Sequence, residues 1–247
     1  MSDGSLHDRT VPDGSSHRRP RPAVEWDDGP VRVPDWSVVV PVKRLAEAKT
    51  RLRGGLPPEH HRRLVLAMVQ DTVRAVLACP VVAEAVVVTD EPEVRRQMRA
   101  LGATPVPDRP AAGLNAALAY GATVATRPWV AALAADLPAL RPADLAGALR
   151  AAASAGRRCF VPDAAGGGTT LLTAPPGARL DARFGPDSAQ RHAASGAHRL
   201  AGDWPTLRRD VDTQADLAAA GRLGLGPRTA EVLREIAPLR VDSPRAE

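Results

Sequence analysis

Aromatic side chains are scarce: two Phe, one Tyr and four Trp in 247 residues. Few aromatics are therefore at hand to stack bases, and Ala, Val and Leu must do most of the core packing. Cysteine is equally sparse. Cys79 and Cys159 both sit in apolar segments, which reads as two buried free thiols rather than a disulfide framework. No apolar run approaches the roughly 20 residues of a membrane span. The N-terminal stretch also has no apolar signal-peptide core. These absences exclude a membrane partner and give the expectation of a cytoplasmic protein.

The chain does hold enough apolar residues, 44%, to bury a sizeable core, and its net charge is +5. Lys and Arg are scattered among acids rather than gathered in a stripe. That distribution favours a small anionic ligand, such as a phosphorylated metabolite or a nucleotide, over nucleic acid. Residues 1–35 carry five prolines, three glycines and seven acids against five arginines, with no periodic apolar pattern. Such a segment cannot offset its ordering entropy, so it reads as a disordered tail, and residues 36–240 as a single domain.

Within that domain, continuous β-branched runs alternate with helical periodicity. Ser37–Val42 reads as a strand buried on both faces, with Pro41 tolerated only at its end. Pro57-Pro58-Glu59 opens a helix whose stripe Leu64, Val65, Met68, Val69, Val73, Val76 and Leu77 is core. His60 and His61 are adjacent, cannot share a face as a metal pair, and read as surface residues. Strands follow at 84–90, 103–106, 129–135 and 158–161, with helices at 91–101, 113–126 and 142–155 between them. The alternation predicts an α/β fold of right-handed βαβ units: a Rossmann-like three-layer sandwich around a mainly parallel mixed sheet. Past residue 162 the order changes. A glycine loop at 166–168 feeds a strand, Arg208–Asp212 reads as a short strand, and helices follow at 213–221 and 228–236. Thr213 and Asp216 have capping-box spacing.

Three features carry candidate chemistry. The basic segment Lys43 to Arg51 follows the first strand, at the ligand edge of such a sheet. Asp136, in Ala134-Ala135-Asp136-Leu137-Pro138, ends the 129–135 strand, and Asp210 and Asp212 end a late one. Two carboxylates with substrate phosphates and water suffice for Mg²⁺, although Asp136 could equally cap the turn before Pro138. Asp210 and Asp212 bracket one Val, and only one of them is expected to face the site. Thirdly, the loops 166–170 and 185–188 offer backbone N–H groups, the second just before a helix containing Arg191 and His192. A Gly-Gly-Gly-Thr-Thr stretch is also an ordinary turn. Together these features suit nucleotidyl transfer between two phosphorylated partners.

Val42-Lys43-Arg44-Leu45-Ala46-Glu47-Ala48-Lys49-Thr50-Arg51-Leu52 resembles the opening motif of the 2-phospholactate/phosphoenolpyruvate guanylyltransferases of coenzyme F-420 biosynthesis. Gly113-Leu114-Asn115, Ala135-Asp136-Leu137-Pro138, Gly168-Thr169-Thr170, Phe184-Gly185-Pro186-Asp187-Ser188 and Asp210-Val211-Asp212-Thr213 follow in that family's order. The wider relatives are nucleotide-diphospho-sugar-transferase-like nucleotidyltransferases, including the molybdenum-cofactor guanylyltransferases. Ala135 stands where a Gly is common, Gln214 replaces a frequent Pro, and the tail has no counterpart. None of these removes a charged or hydroxyl group.

The resemblance implies transfer of GMP from GTP to phosphoenolpyruvate with Mg²⁺ held on Asp136 and Asp210. It implies the acceptor on Thr169 or Thr170, Gly185 and Ser188. Lys43 and Lys49 would face the triphosphate, with Arg51 and Asn115 also on the nucleotide. A deazaflavin-accepting transferase would take over the product. Other acceptors (2-phospholactate, 3-phosphoglycerate or a pterin phosphate) and a non-catalytic nucleotide-binding protein remain as alternatives.

Overall fold

The computed structural model describes residues 1, 35–43, 45, 50–52, 56–109 and 111–236. From Asp35 onward they fall within one compact unit. Of the expected tail at 1–35, residues 2–34 lie outside the described residues.

Among the described residues the chain forms β1 (Trp36–Pro41), α1 (Pro58–Leu77), β2 (Val82–Val88), α2 (Pro92–Leu101), β3 (Thr104–Val106), α3 (Leu114–Val124), β4 (Trp129–Leu133) and α4 (Pro142–Ala155). There follow β5 (Cys159–Pro162), β6 (Thr169–Ala174), α5 (Ser188–Ala194), β7 (His198–Arg199), α6 (Gln214–Leu223) and α7 (Pro227–Ile236). The sheet order is β3-β2-β1-β4-β6-β5-β7. Strands β3, β2, β1 and β4 run parallel, and β6 enters antiparallel to both β4 and β5.

Alternation along each strand splits the core in two. Val38 and Val40 of β1 join α1, α2, α4, α6 and α7 on one face. Val39 faces the opposite layer with Ala117 and Leu118 of α3 and Ala189 of α5. This is the expected three-layer α/β sandwich. Cys79 and Cys159 are buried and free, and burial raises both thiol pKa values. Among the described residues no helix is long and apolar enough to cross a membrane.

After β1 the chain steps outward through β2 and β3, then returns to the other side of β1 as β4. The carboxyl ends of β1 and β4 therefore flank the point where the strand order reverses, which is where open α/β sheets bind ligands.

Two local expectations need correction, and one element was not foreseen. Residues 208–212 are not a strand: Val211 N–H donates to Asp136 O at 3.1 Å, but that one bond to the β4 extension is not a ladder. The two-residue β7 had no sequence signal. His61 is buried, at 2% exposure. The reason is helical spacing: His61 lies three, four and seven residues before Leu64, Val65 and Met68, so it extends their stripe. The capping box of α6 forms as expected, with the Thr213 hydroxyl accepting from Asp216 N–H and the Asp216 carboxylate accepting in return.

Candidate active site

A cleft of about 970 Å³ opens at the carboxyl ends of β1 and β4. Pro41, Val42 and Lys43 continue β1 into it, and Ala134, Ala135 and Asp136 continue β4. Val65, Met68 and Val69 line it as well, so part of the α1 core stripe also forms cleft wall.

The turn carrying Asp136 is held from beneath. Leu137 is fully buried, and its N–H donates to Thr72 Oγ1 at 3.0 Å. That hydroxyl donates in turn to Met68 O at 2.9 Å, one turn back along α1. With Leu137 fixed in the core, the preceding Asp136 is left at the cleft. On its other side, the bond from Val211 N–H to Asp136 O brings the 210–212 segment alongside. Val211 is buried, whereas Asp210 and Asp212 both line the cleft. The expectation that only one would do so is wrong on spacing: side chains two residues apart in extended chain share a face, so both aspartates turn to the cleft while Val211 turns inward.

The opposite wall is built by β6, the glycine loop and α5. Asp163, at the end of β5, accepts from Gly166 N–H at 2.5 Å and from Gly168 N–H at 2.9 Å. A Cβ on Gly168 would sit 2.3 Å from Asp163 Oδ2, so no larger residue fits that approach. Ser188 N–H bonds Gly185 O and Ala189 N–H bonds Gly167 O. Those four amides are thus spent inside the protein, and the stretch is a carboxylate-bound turn rather than an open amide cradle. Gly185, at φ +118°, takes a backbone shape that side chains disfavour. What this wall turns to the cleft includes Thr169, Gly185 and Ser188.

Behind it lies His192, with 0% exposure. Its Nδ1 is 3.0 Å from Thr169 Oγ1, and its Nε2 accepts from Arg183 N–H at 2.9 Å. The rings of Phe184 and Phe160 flank it, with centroids 5.1 and 6.0 Å away. Burial pushes its pKa down to about 4, helped by the charges of Arg191, Arg158 and Arg183 and opposed by Asp181.

Lys43, Arg51, Asp136, Asp210, Thr169, Gly185 and Ser188 therefore meet in one cleft. Thr170 does not join them: it is 1% exposed and its hydroxyl points to Val161 O at 3.5 Å. Asn115 is not part of the lining either. Its side-chain amide clamps the backbone of Phe184, donating to Phe184 O at 3.1 Å and accepting from Phe184 N–H at 2.8 Å. Lys49 lies outside the described residues. Sequence reading missed Thr72, Asp163 and the contact made by His192. An acid just before a glycine run was a signal for Asp163; a hydroxyl inside an apolar helix and a histidine in a short one gave none.

The carboxylates are hard oxygen donors beside open space. Among the described residues no set of three or more His, Cys, Asp or Glu forms a metal cage. The donor set fits a cation that completes its shell with substrate phosphate oxygens and water, as Mg²⁺ does.

Residues 60–203 match the model of the MobA-like NTP transferase domain, and the chain belongs to that family. It is 61% identical over 204 residues to the phosphoenolpyruvate guanylyltransferase of Salinispora arenicola, covering 82% of this chain and 95% of that one. With the enzyme of that name from Geodermatophilus obscurus it shares 57% over 208 residues, covering 82% and 96%. Among solved structures, a putative nucleotide-diphospho-sugar transferase from Desulfovibrio desulfuricans superposes with a TM-score of 0.60 at 18% identity, over 83% of this chain and 96% of that one. That likeness supports the fold.

Proposed function

We propose that the chain is a guanylyltransferase that transfers GMP from GTP to phosphoenolpyruvate, giving enolpyruvyl-diphospho-5'-guanosine and pyrophosphate. One observation carries the reading: Lys43, Arg51, Asp136 and Asp210 share the cleft with Thr169, Gly185 and Ser188 of the β6/α5 wall. The names of relatives at 57–61% identity support the choice of substrates.

In this reading a phosphate oxygen of phosphoenolpyruvate attacks the α-phosphorus of GTP in line. The bond from that phosphorus to the β-phosphate oxygen breaks, and pyrophosphate leaves. The attacking oxygen is already anionic, so no general base is needed. Asp136 and Asp210 would hold Mg²⁺, which when bound supplies charge neutralisation on the phosphates. Lys43 and Arg51 face the leaving pyrophosphate, with Lys49 assigned to the same task from its motif. Thr169, Gly185 and Ser188 hold the acceptor. Asn115 acts from behind, by fixing Phe184 beside Gly185. The diphosphate product then passes to a deazaflavin-accepting transferase, and the reaction belongs to the cytoplasm.

The test is pyrophosphate release with GTP or ATP, each offered phosphoenolpyruvate, 2-phospholactate or 3-phosphoglycerate with Mg²⁺ and a deazaflavin-accepting transferase to draw off product. Release from GTP with phosphoenolpyruvate alone is the expected result. Silence across all six pairs from folded protein would favour a non-catalytic nucleotide binder.

A further inference from the structure

The contact between Thr169 and His192 has a direction that the neighbouring contact fixes. Arg183 N–H can only donate, so His192 Nε2 must present its lone pair. In the neutral ring the single hydrogen then sits on Nδ1, which faces Thr169 Oγ1. Thr169 Oγ1 accepts that hydrogen and keeps its own. Were the tautomer reversed, the threonine would spend its hydrogen on the imidazole and turn only lone pairs to the cleft. A ring flip is opposed by the packing, with Phe184 edge-on and Phe160 tilted against the imidazole.

We infer that His192 is a positioning residue that orients the Thr169 hydroxyl as a hydrogen-bond donor to the anionic acceptor, a phosphorylated carboxylic acid. The inference rests on the function proposed above. Arg183 N–H, His192 Nδ1–H and the Thr169 hydroxyl form one relay of donors, each with its hydrogen pointing towards the cleft, and the relay ends on the acceptor's oxygen. The low pKa serves the same end: an imidazolium would carry a second hydrogen on Nε2, facing Arg183 N–H.

Steady-state pyrophosphate release tests this in wild type, His192→Leu, His192→Asn, Thr169→Val and the Thr169→Val/His192→Leu double variant. A hydrogen bond to a charged group, once lost, costs on the order of tenfold in binding. His192→Leu should raise the KM for phosphoenolpyruvate about tenfold, with kcat and the KM for GTP changed little. His192→Asn, whose amide N–H can stand in for Nδ1–H, should recover part of that loss. The double variant should be no worse than Thr169→Val alone. Unchanged acceptor KM in folded His192→Leu, equal rises in both Michaelis constants, or independent effects in the double variant would overturn the inference. If the histidine variants do not fold, ¹⁵N chemical shifts of the wild-type ring decide: Nδ1–H is expected, and Nε2–H overturns it. Wild type that releases no pyrophosphate from GTP and phosphoenolpyruvate defeats the proposed function instead, a result that the ring measurement keeps separate.

Discussion

Around Asp136 the cleft is lined by full charges standing on chain segments just past the ends of β1 and β4. Around Thr169 it is lined by hydroxyls and glycines whose hydrogen-bonding capacity is mostly used within the protein, with the Asp163 carboxylate tied to the Gly166 and Gly168 amides. On the first side the fold need only deliver carboxylates and cations to one place, because charge acts over several ångströms. On the second, a hydroxyl binds an anion only if its hydrogen points the right way, so the support behind it matters as much as the residue itself. The two sides should therefore fail differently when altered.

The largest effect is expected at Asp136. Asp136→Asn keeps the shape of the turn and removes the charge, and turnover should fall on the order of a thousandfold at saturating Mg²⁺, measured as kcat for pyrophosphate release. Asp210→Asn and Asp212→Asn sharpen the assignment: the first should approach the same loss and the second should fall well short. On the other side, Asn115→Ala releases the Phe184 backbone, and the KM for phosphoenolpyruvate should rise by about tenfold while that for GTP holds. Thr72→Val touches no substrate. It leaves Leu137 N–H buried without its acceptor and should cost about 1–3 kcal/mol of unfolding free energy in a urea titration.

The smallest effect is one of pH. His192 titrates near 4 in the folded protein against 6.5 as its ordinary value, so the unfolded chain takes up this proton first as pH falls. Stability from the neutral ring is complete above about 6.5 and is lost progressively as pH drops through 4. Chemical denaturation across that range should show a decline that His192→Asn lessens.

Much of the charged side was legible in the sequence, because strand ends are marked by apolar runs and an acid or cation just past one has nowhere to go but the ligand edge. Asp136 and Lys43 follow from that rule. The expectation of one aspartate misses Asp212, although side chains two apart in extended chain share a face: Val211 is buried, and the aspartates on either side of it both line the cleft. The β6/α5 wall was harder to read. Thr169 and Thr170 are indistinguishable as letters, and only the alternation of β6 sends one hydroxyl to His192 and the other to Val161 O. The glycine loop's amides looked available to a phosphate until Asp163 was seen to occupy two of them. The fold itself was the easier part, since β-branched runs and helix periods recur along the chain; β6 running antiparallel depends on long-range pairing that no local pattern records.

The central claim is that the two sides serve two substrates, and a cross-titration tests it most directly. GTP would be varied at saturating phosphoenolpyruvate, and the reverse, in Lys43→Ala and Thr169→Val. The account predicts a crossed pattern: Lys43→Ala raises the KM for GTP and leaves that for phosphoenolpyruvate, and Thr169→Val does the opposite. Both substitutions moving the same constant would contradict it.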